Sequence, residues 1–123
     1  MTRAGVGNVE LNRLFAASWP GHAERDFVSL LAHSAFYVTA HLGPELVGFV
    51  NVAWDGGVHG FVLDPTVAPG HRRRGIGSSL LQHVVAGARE RQLEWLHVDY
   101  EPGLDAFYRR AGFSSSEAGV LRL

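Results

Sequence analysis

"VAPGHRRRGIGSSLLQHVV", residues 67–85, sets three arginines before a Gly-Ile-Gly step and then opens into an apolar-periodic run. Leu80, Leu81, Val84, Val85 and Ala88 recur at helical spacing, which predicts a helix of about 14 residues beginning between Gly75 and Ser78. A strand ending at Val67 would lead into the turn. A helix start presents unpaired backbone N–H groups and the positive end of the helix dipole, and together these attract anions. Gly75 and Gly77 lack a Cβ, so an anion can approach the main chain closely, and Arg72, Arg73 and Arg74 add charge-assisted hydrogen bonds. The expected ligand is a phosphate or pyrophosphate.

Spacing narrows which one. "GHRRRGIG" has the two outer glycines of a P-loop, but Ile76 and Gly77 stand where lysine and serine or threonine are needed. Leu80 stands where the third glycine of a dinucleotide-binding turn belongs. ATP and NAD are both disfavoured.

Working outward, Asn8 is placed to cap a first helix in which Leu11, Leu14 and Phe15 share a face, with "SWPG" at 18–21 stopping it. Phe27, Leu30 and Leu31 mark a second helix. The period then changes to that of strands at 36–42, 46–54 and 58–67, and "DGG" at 55–57 predicts an antiparallel hairpin between the last two. Pro65 lies inside the third strand and cannot donate to a ladder, so a bulge is expected there. After the central helix, 94–100 reads as a strand. Residues 104–111 read as a short helix closed by Gly112, with Phe113 packing back, and "AGVLRL" reads as a final strand. Trp54 and Trp95 are expected in the core or as pocket walls. The order of elements predicts one domain, residues 1–123, of the α/β (α+β) class, with a mixed sheet flanked by helices.

At 123 residues, 46% hydrophobic and 19% charged, the chain is ordinary for a globular domain, and no stretch is apolar for the ~20 residues a membrane span requires. The N-terminal residues lack a secretory signal's apolar core, so no membrane partner and a cytoplasmic location are expected. A net charge of −1 argues against nucleic acid as a partner and makes the arginine triplet a local feature. Without cysteine there is no thiolate ligand, and the histidines show no metal-ligand spacing, so no metal is expected.

Arg72 to Gly77 spells R-x-x-G-x-G. Preceded by "VLDPTVAP" and followed by an amphipathic helix, it resembles the acetyl-CoA-binding motif of the GNAT superfamily of N-acetyltransferases. "FYRRAGF" at 107–113, after a strand, is similar to that family's second signature. The resemblance covers about residues 23–123. It implies a mostly antiparallel central sheet; this sequence departs from the family in that the usual first strand is short or absent, which would expose an edge that a homodimer would cover. It also implies two central strands that splay near Pro65 to admit acetyl-CoA. Backbone amides from Arg72 through Arg73, Arg74, Gly75, Ile76 and Gly77 to Ser78 would hold the pyrophosphate, and Thr66 and Val67 would pair with the pantetheine arm.

The implied reaction is direct acetyl transfer to a primary amine, on a small molecule or as an exposed amino group. Tyr108 takes the family's tyrosine position as general acid. For the base, Asp64 ranks first, since strand alternation puts it on one face with Val62 and Thr66. His97 and Asp99, two apart on the next strand, form a rival pair, and a water chain is a third route. Asn51, Trp54, His97 and Asp99, with Asp64, are candidates to line the amine side. Glu101 stands where family members often carry an asparagine facing the cofactor. Each residue also has a structural counterpart: a core tyrosine, a carboxylate steadying the bulge, a cross-strand polar pair. A non-catalytic CoA-binding or sensory domain and a phosphate-binding nucleic-acid module are the competing readings.

Overall fold

A computed structural model of the chain describes residues 6–123. The expectation about a leader in the first residues therefore lies partly outside what is described. Helix α1 (Asn8–Ser18) is followed by a short helix α2 (Phe27–Leu31), and three antiparallel strands come next: β1 (Ser34–Leu42), β2 (Glu45–Trp54) and β3 (His59–Val67). A 3-10 turn at Pro69–His71 leads to α3 (Ile76–Glu90), β4 (Trp95–Val98) and α4 (Asp105–Arg110). The sheet order is β1-β2-β3-β4, with β4 parallel to β3. Only residues 6 and 7 precede α1 among those described, so the expectation of a short or absent first strand falls largely outside them.

Each face of the sheet is covered by its own helices. Leu80, Leu81 and Val84 of α3 bury against Val38, Val50, Val52 and Val62, joined by Tyr108 from α4. On the opposite face Leu11, Leu14 and Phe15 of α1 pack with Phe27 and Phe49. The Phe15 ring lies 4.8 Å from that of Phe27 and 5.8 Å from that of Phe49. Apolar burial of this kind, at roughly 25 cal/mol per Å2, is what holds short helices that could not stand alone in water.

The N-terminal cap differs from expectation. Gly7, not Asn8, precedes α1, and no side chain caps that helix. Asn8 instead reaches across to α2, where its Oδ1 accepts from the amides of Phe27 at 2.7 Å and Val28 at 3.1 Å. Asp26 accepts from the Ser29 amide at 3.2 Å, so two side chains satisfy the first three amides of α2. Sequence shows a capping residue but not which helix it serves. Asn8→Ala is expected to lower stability by about 1–2 kcal/mol, as loss of a cap does, measured as a shift of the urea midpoint at unchanged slope.

The 55–57 turn forms as expected, with Asp55 Oδ1 accepting from the Gly57 amide at 2.7 Å. At the other end of the chain, residues 114–123 form no strand, and Val120, Leu121 and Leu123 are exposed. Alternation gave this segment strand character, but a strand exists only through a ladder partner, and none pairs with it among the described residues. Trp54 and Trp95 are likewise exposed rather than in the core.

Candidate active site

The bulge in β3 organises the site. Phe49 of β2 pairs with Thr66 and Asn51 pairs with Leu63, so β3 spends two residues, Asp64 and Pro65, opposite Val50. Asp64 adopts φ +53°, in the left-handed region, as an inserted residue in a strand often does. This overturns the expected alternation. Val62 packs toward α3, whereas Thr66, only 3% exposed, bonds to Trp19 at the end of α1, so the two side chains lie on opposite faces. An extra residue flips every side chain that follows it.

The bulge also ends the ladder to β4. Parallel pairing runs from His59↔Trp95 to Val62↔Val98 and stops, so Leu63 to Val67 have no partner on that side. The two strands part where the family resemblance implies that they should. Just beyond lies the turn that the sequence reads as an anion site. Gly75 precedes α3 with φ +78°, and a Cβ placed on it would meet no protein atom within 4 Å. The first main-chain bond of the helix runs from the Ser79 amide to the Gly75 carbonyl at 3.0 Å. The amides of Ile76, Gly77 and Ser78, the first of α3, have no carbonyl one turn back within the helix. His71 Nδ1, in the same turn, is buried without a partner. Free amides around open space fit a pyrophosphate.

The arginines differ among themselves. Arg72 folds back, its Nε donating to the Val67 carbonyl at 3.1 Å. Arg73 is exposed and sits at φ +64°, a conformation that glycine adopts without strain. Arg73→Gly is expected to stabilise the protein by about 1 kcal/mol, seen as a rise in the thermal midpoint of a few degrees. Gly77 has a second role: a Cβ there would lie 3.2 Å from the Phe107 ring, so the glycine lets α4 pack against the start of α3.

That packing brings the second signature to the turn. Tyr108 is 3% exposed, its ring stacked 4.4 Å from Tyr100 and set edge-on to Phe107 and Phe113. Burial, and secondarily the neighbouring Tyr100, raises its phenol above the ordinary tyrosine value. Tyr100 itself donates to Asp105 Oδ1 at 3.0 Å, which raises the Tyr100 phenol and lowers the Asp105 carboxyl. Gly112, at φ +106°, closes α4 with Phe113 returning its amide to the Tyr108 carbonyl at 3.1 Å, as the sequence predicts.

On the other face, Asp64 lines two cavities. One, of about 490 Å3, lies under the segment joining α1 to α2 and is walled by Phe15, Trp19, His22, Glu24 and Arg25. Arg25 Nη1 lies 3.7 Å from Asp64 Oδ2. Asn12 holds this segment, accepting from the Arg25 amide at 2.9 Å and donating to its carbonyl at 2.8 Å. The second cavity, about 230 Å3, is lined by Leu30, His33, Ser34, Asn51 and Leu63. Asn51 Oδ1 accepts from the Ser34 hydroxyl there. In the sequence "SWPG" at 18–21 reads only as a helix stop, and Trp19, His22, Glu24 and Arg25 are not among the expected site residues. An aromatic, a histidine and charges between two helix signals were the available clue.

The remaining candidates lie elsewhere. His97 Nε2 is 2.8 Å from His59 Nδ1, and its ring stacks on Phe61 at 4.9 Å, so its partner is His59 and not Asp99. Trp54 closes the far end of β2 opposite Gly60. Neither lines a cavity with Asp64. Glu101 is exposed before α4. No group of three or more metal-ligating side chains occurs among the described residues. No helix there is long and apolar enough to cross a membrane.

The Acetyltransferase (GNAT) family pattern matches residues 8–113, taking in the parted strands, the anion turn and Tyr108. The chain belongs to the GNAT family. It is 38% identical over 88 residues to the streptothricin acetyltransferase of Streptomyces lavendulae, covering 68% of this chain and 46% of that protein. It is 40% identical over 82 residues to the mycothiol acetyltransferase of Kineococcus radiotolerans, covering 63% of this chain and 26% of that one. This GNAT chain thus spans less than half the length of those relatives. Among solved structures, a GNAT family acetyltransferase from Streptococcus pneumoniae superimposes with a TM-score of 0.82 at 25% identity, over 98% of this chain and 93% of that one.

Proposed function

We propose that this GNAT chain is an N-acetyltransferase that takes the acetyl group of acetyl-CoA directly to a primary amine, on a small molecule or as an exposed amino group. The observation that carries the reading is the set of amides that starts α3 at 76–78, behind Gly75 at φ +78° and the open space over it, beside the point where β3 and β4 part. These amides, with Arg72, Arg73 and Arg74, bind the pyrophosphate. The free edge of Thr66 and Val67 binds the pantetheine arm. Acetyl-CoA, when bound, supplies the thioester whose carbon–sulfur bond breaks as the amine nitrogen forms its bond to the carbonyl carbon.

The chain's own groups handle the protons and charge. Of the two expected donors, the Thr66 amide faces Phe49 of β2, so the Val67 main-chain amide polarises the carbonyl oxygen. Tyr108, on the α3 side, gives its phenolic proton to the departing sulfur, and its raised pKa keeps that proton in place at neutral pH. Asp64, on the α1 side, accepts the ammonium's proton directly or through a water. His97 is the weaker choice because His59 already engages its Nε2. The amine enters by the cavity under residues 19–25, where Glu24 and Asp64 favour a cation, and Asn51 lies beyond Asp64. A homodimer across the open β1 edge completes the reading.

Calorimetry with acetyl-CoA, followed by thiol release across a panel of amines, tests it. Micromolar binding and amine-dependent release are expected. No binding at millimolar acetyl-CoA overturns the reading, and binding without release for any amine leaves a CoA-binding domain instead.

A further inference from the structure

Trp19 is 45% exposed, yet the polar edge of its ring is committed inward. Its Nε1–H donates to Thr66 Oγ1 at 3.0 Å, and the Thr66 hydroxyl in turn donates to the Asp64 carbonyl at 2.9 Å. Three residues from two distant parts of the chain thus form one hydrogen-bonded line. It ends inside the bulge, on the residue with φ +53°. Asp64 and Pro65 are the two residues that β2 cannot hold in register, so main-chain pairing alone does not fix their geometry. The main chain that carries the indole is itself tied: the Trp19 amide donates to the Phe15 carbonyl at 2.8 Å and the Trp19 carbonyl accepts from the His22 amide at 3.3 Å.

We propose that Trp19 is a positioning residue for acetyl transfer, setting through Thr66 the direction of the main chain that faces the thioester. This rests on the function proposed above and names a residue that touches neither reacting atom. Thr66 is an anchor: its hydroxyl is spent on Trp19 and Asp64 and its main chain pairs with Phe49 of β2, so it sets the direction of Val67, the next residue, whose main chain faces the gap beside β4. Because Trp19 also walls the acceptor cavity, its bond to Thr66 joins the acceptor side directly to the cofactor edge. A carbonyl donor must be placed to within a fraction of an ångström, so a small rotation of the bulge costs rate without costing affinity.

Trp19→Phe keeps the ring and removes the donor. It is expected to lower kcat about tenfold, as misplacement of a supporting group does, while the acetyl-CoA dissociation constant from calorimetry stays within about twofold. Thr66→Val should lose a similar amount, the double variant should lose no more than either, and Thr66→Ser should recover most of what Thr66→Val loses. A link that only holds the loop down would move the thermal midpoint and leave kcat alone well below it. That result overturns the proposal, as do losses that multiply in the double variant. If the wild-type protein acetylates no amine, the proposed function has failed. The link is then judged by amide hydrogen exchange, which must quicken at Thr66 and Val67 in folded Trp19→Phe; unchanged exchange there overturns it.

Discussion

Gly75→Val is expected to weaken acetyl-CoA binding about a hundredfold, a loss of the size that follows when several charge-assisted hydrogen bonds to one anion go together. Two effects act at this position. A β-branched residue at φ +78° is strained, and relieving the strain turns the amides of Gly75, Ile76 and Gly77 away from their common focus. The added side chain also enters space that no protein atom occupies within 4 Å, where the pyrophosphate is proposed to lie. Arg73→Ala, by contrast, removes one exposed charge that salt already screens, and should cost about tenfold or less. Calorimetry on both variants, with far-ultraviolet dichroism to confirm the fold, gives the ranking. If Arg73→Ala proves the more damaging, the anion is held by side chains and the amide cradle is not the binding determinant.

Tyr108→Phe is expected to lower kcat by about two to three orders of magnitude, within the range that positioned proton donors supply. The substitution removes one oxygen and keeps the ring that stacks on Tyr100 and meets Phe107 and Phe113 edge-on, so acetyl-CoA affinity and thermal midpoint should change little. The pH profile carries a second signature. With the phenol raised above the ordinary value near 10 by burial, the protonated acid persists to higher pH, and the alkaline fall in kcat that it governs lies above pH ~10. Stability follows the same sign. A tyrosine that holds its proton more tightly when folded than when unfolded contributes nothing below pH ~10 and destabilises the fold as pH rises beyond that. A Tyr108→Phe enzyme of near-normal kcat would make the residue a core tyrosine and move the acid elsewhere.

The elements themselves were largely legible. Apolar periodicity located α1, α2 and α3, "DGG" placed the hairpin, Pro65 marked the bulge, and Gly112 with Phe113 closed α4. Local chemistry dictates each of these. What sequence could not supply was the partner of each group. Asn8 looked like the cap of its own helix because capping residues are recognised by type, whereas its amides turned out to be those of Phe27 and Val28. Asp64 was put on one face with Val62 and Thr66 because alternation assumes an unbroken strand, and the bulge that was itself foreseen breaks it. The segment after Phe113 had strand character and no strand to join. His97 was matched with Asp99 along its own strand, while its partner, His59, comes from the neighbouring one. Long-range pairing is the common missing quantity in all four.

The side of the site that would choose the amine hangs on short-range ties. Asn8, Asn12 and Asp26 fasten residues 19–26 using contacts confined to residues 8–29, while the anion turn and Tyr108 belong to the chain beyond residue 66. Apart from Trp19, and Arg25 against Asp64, no hydrogen bond or ion pair joins that segment to β3 among the described residues. On the proposed function, acceptor choice can therefore drift by exchange of residues 20–26, as a tool changes its bit, so long as Trp19 keeps its bond to Thr66.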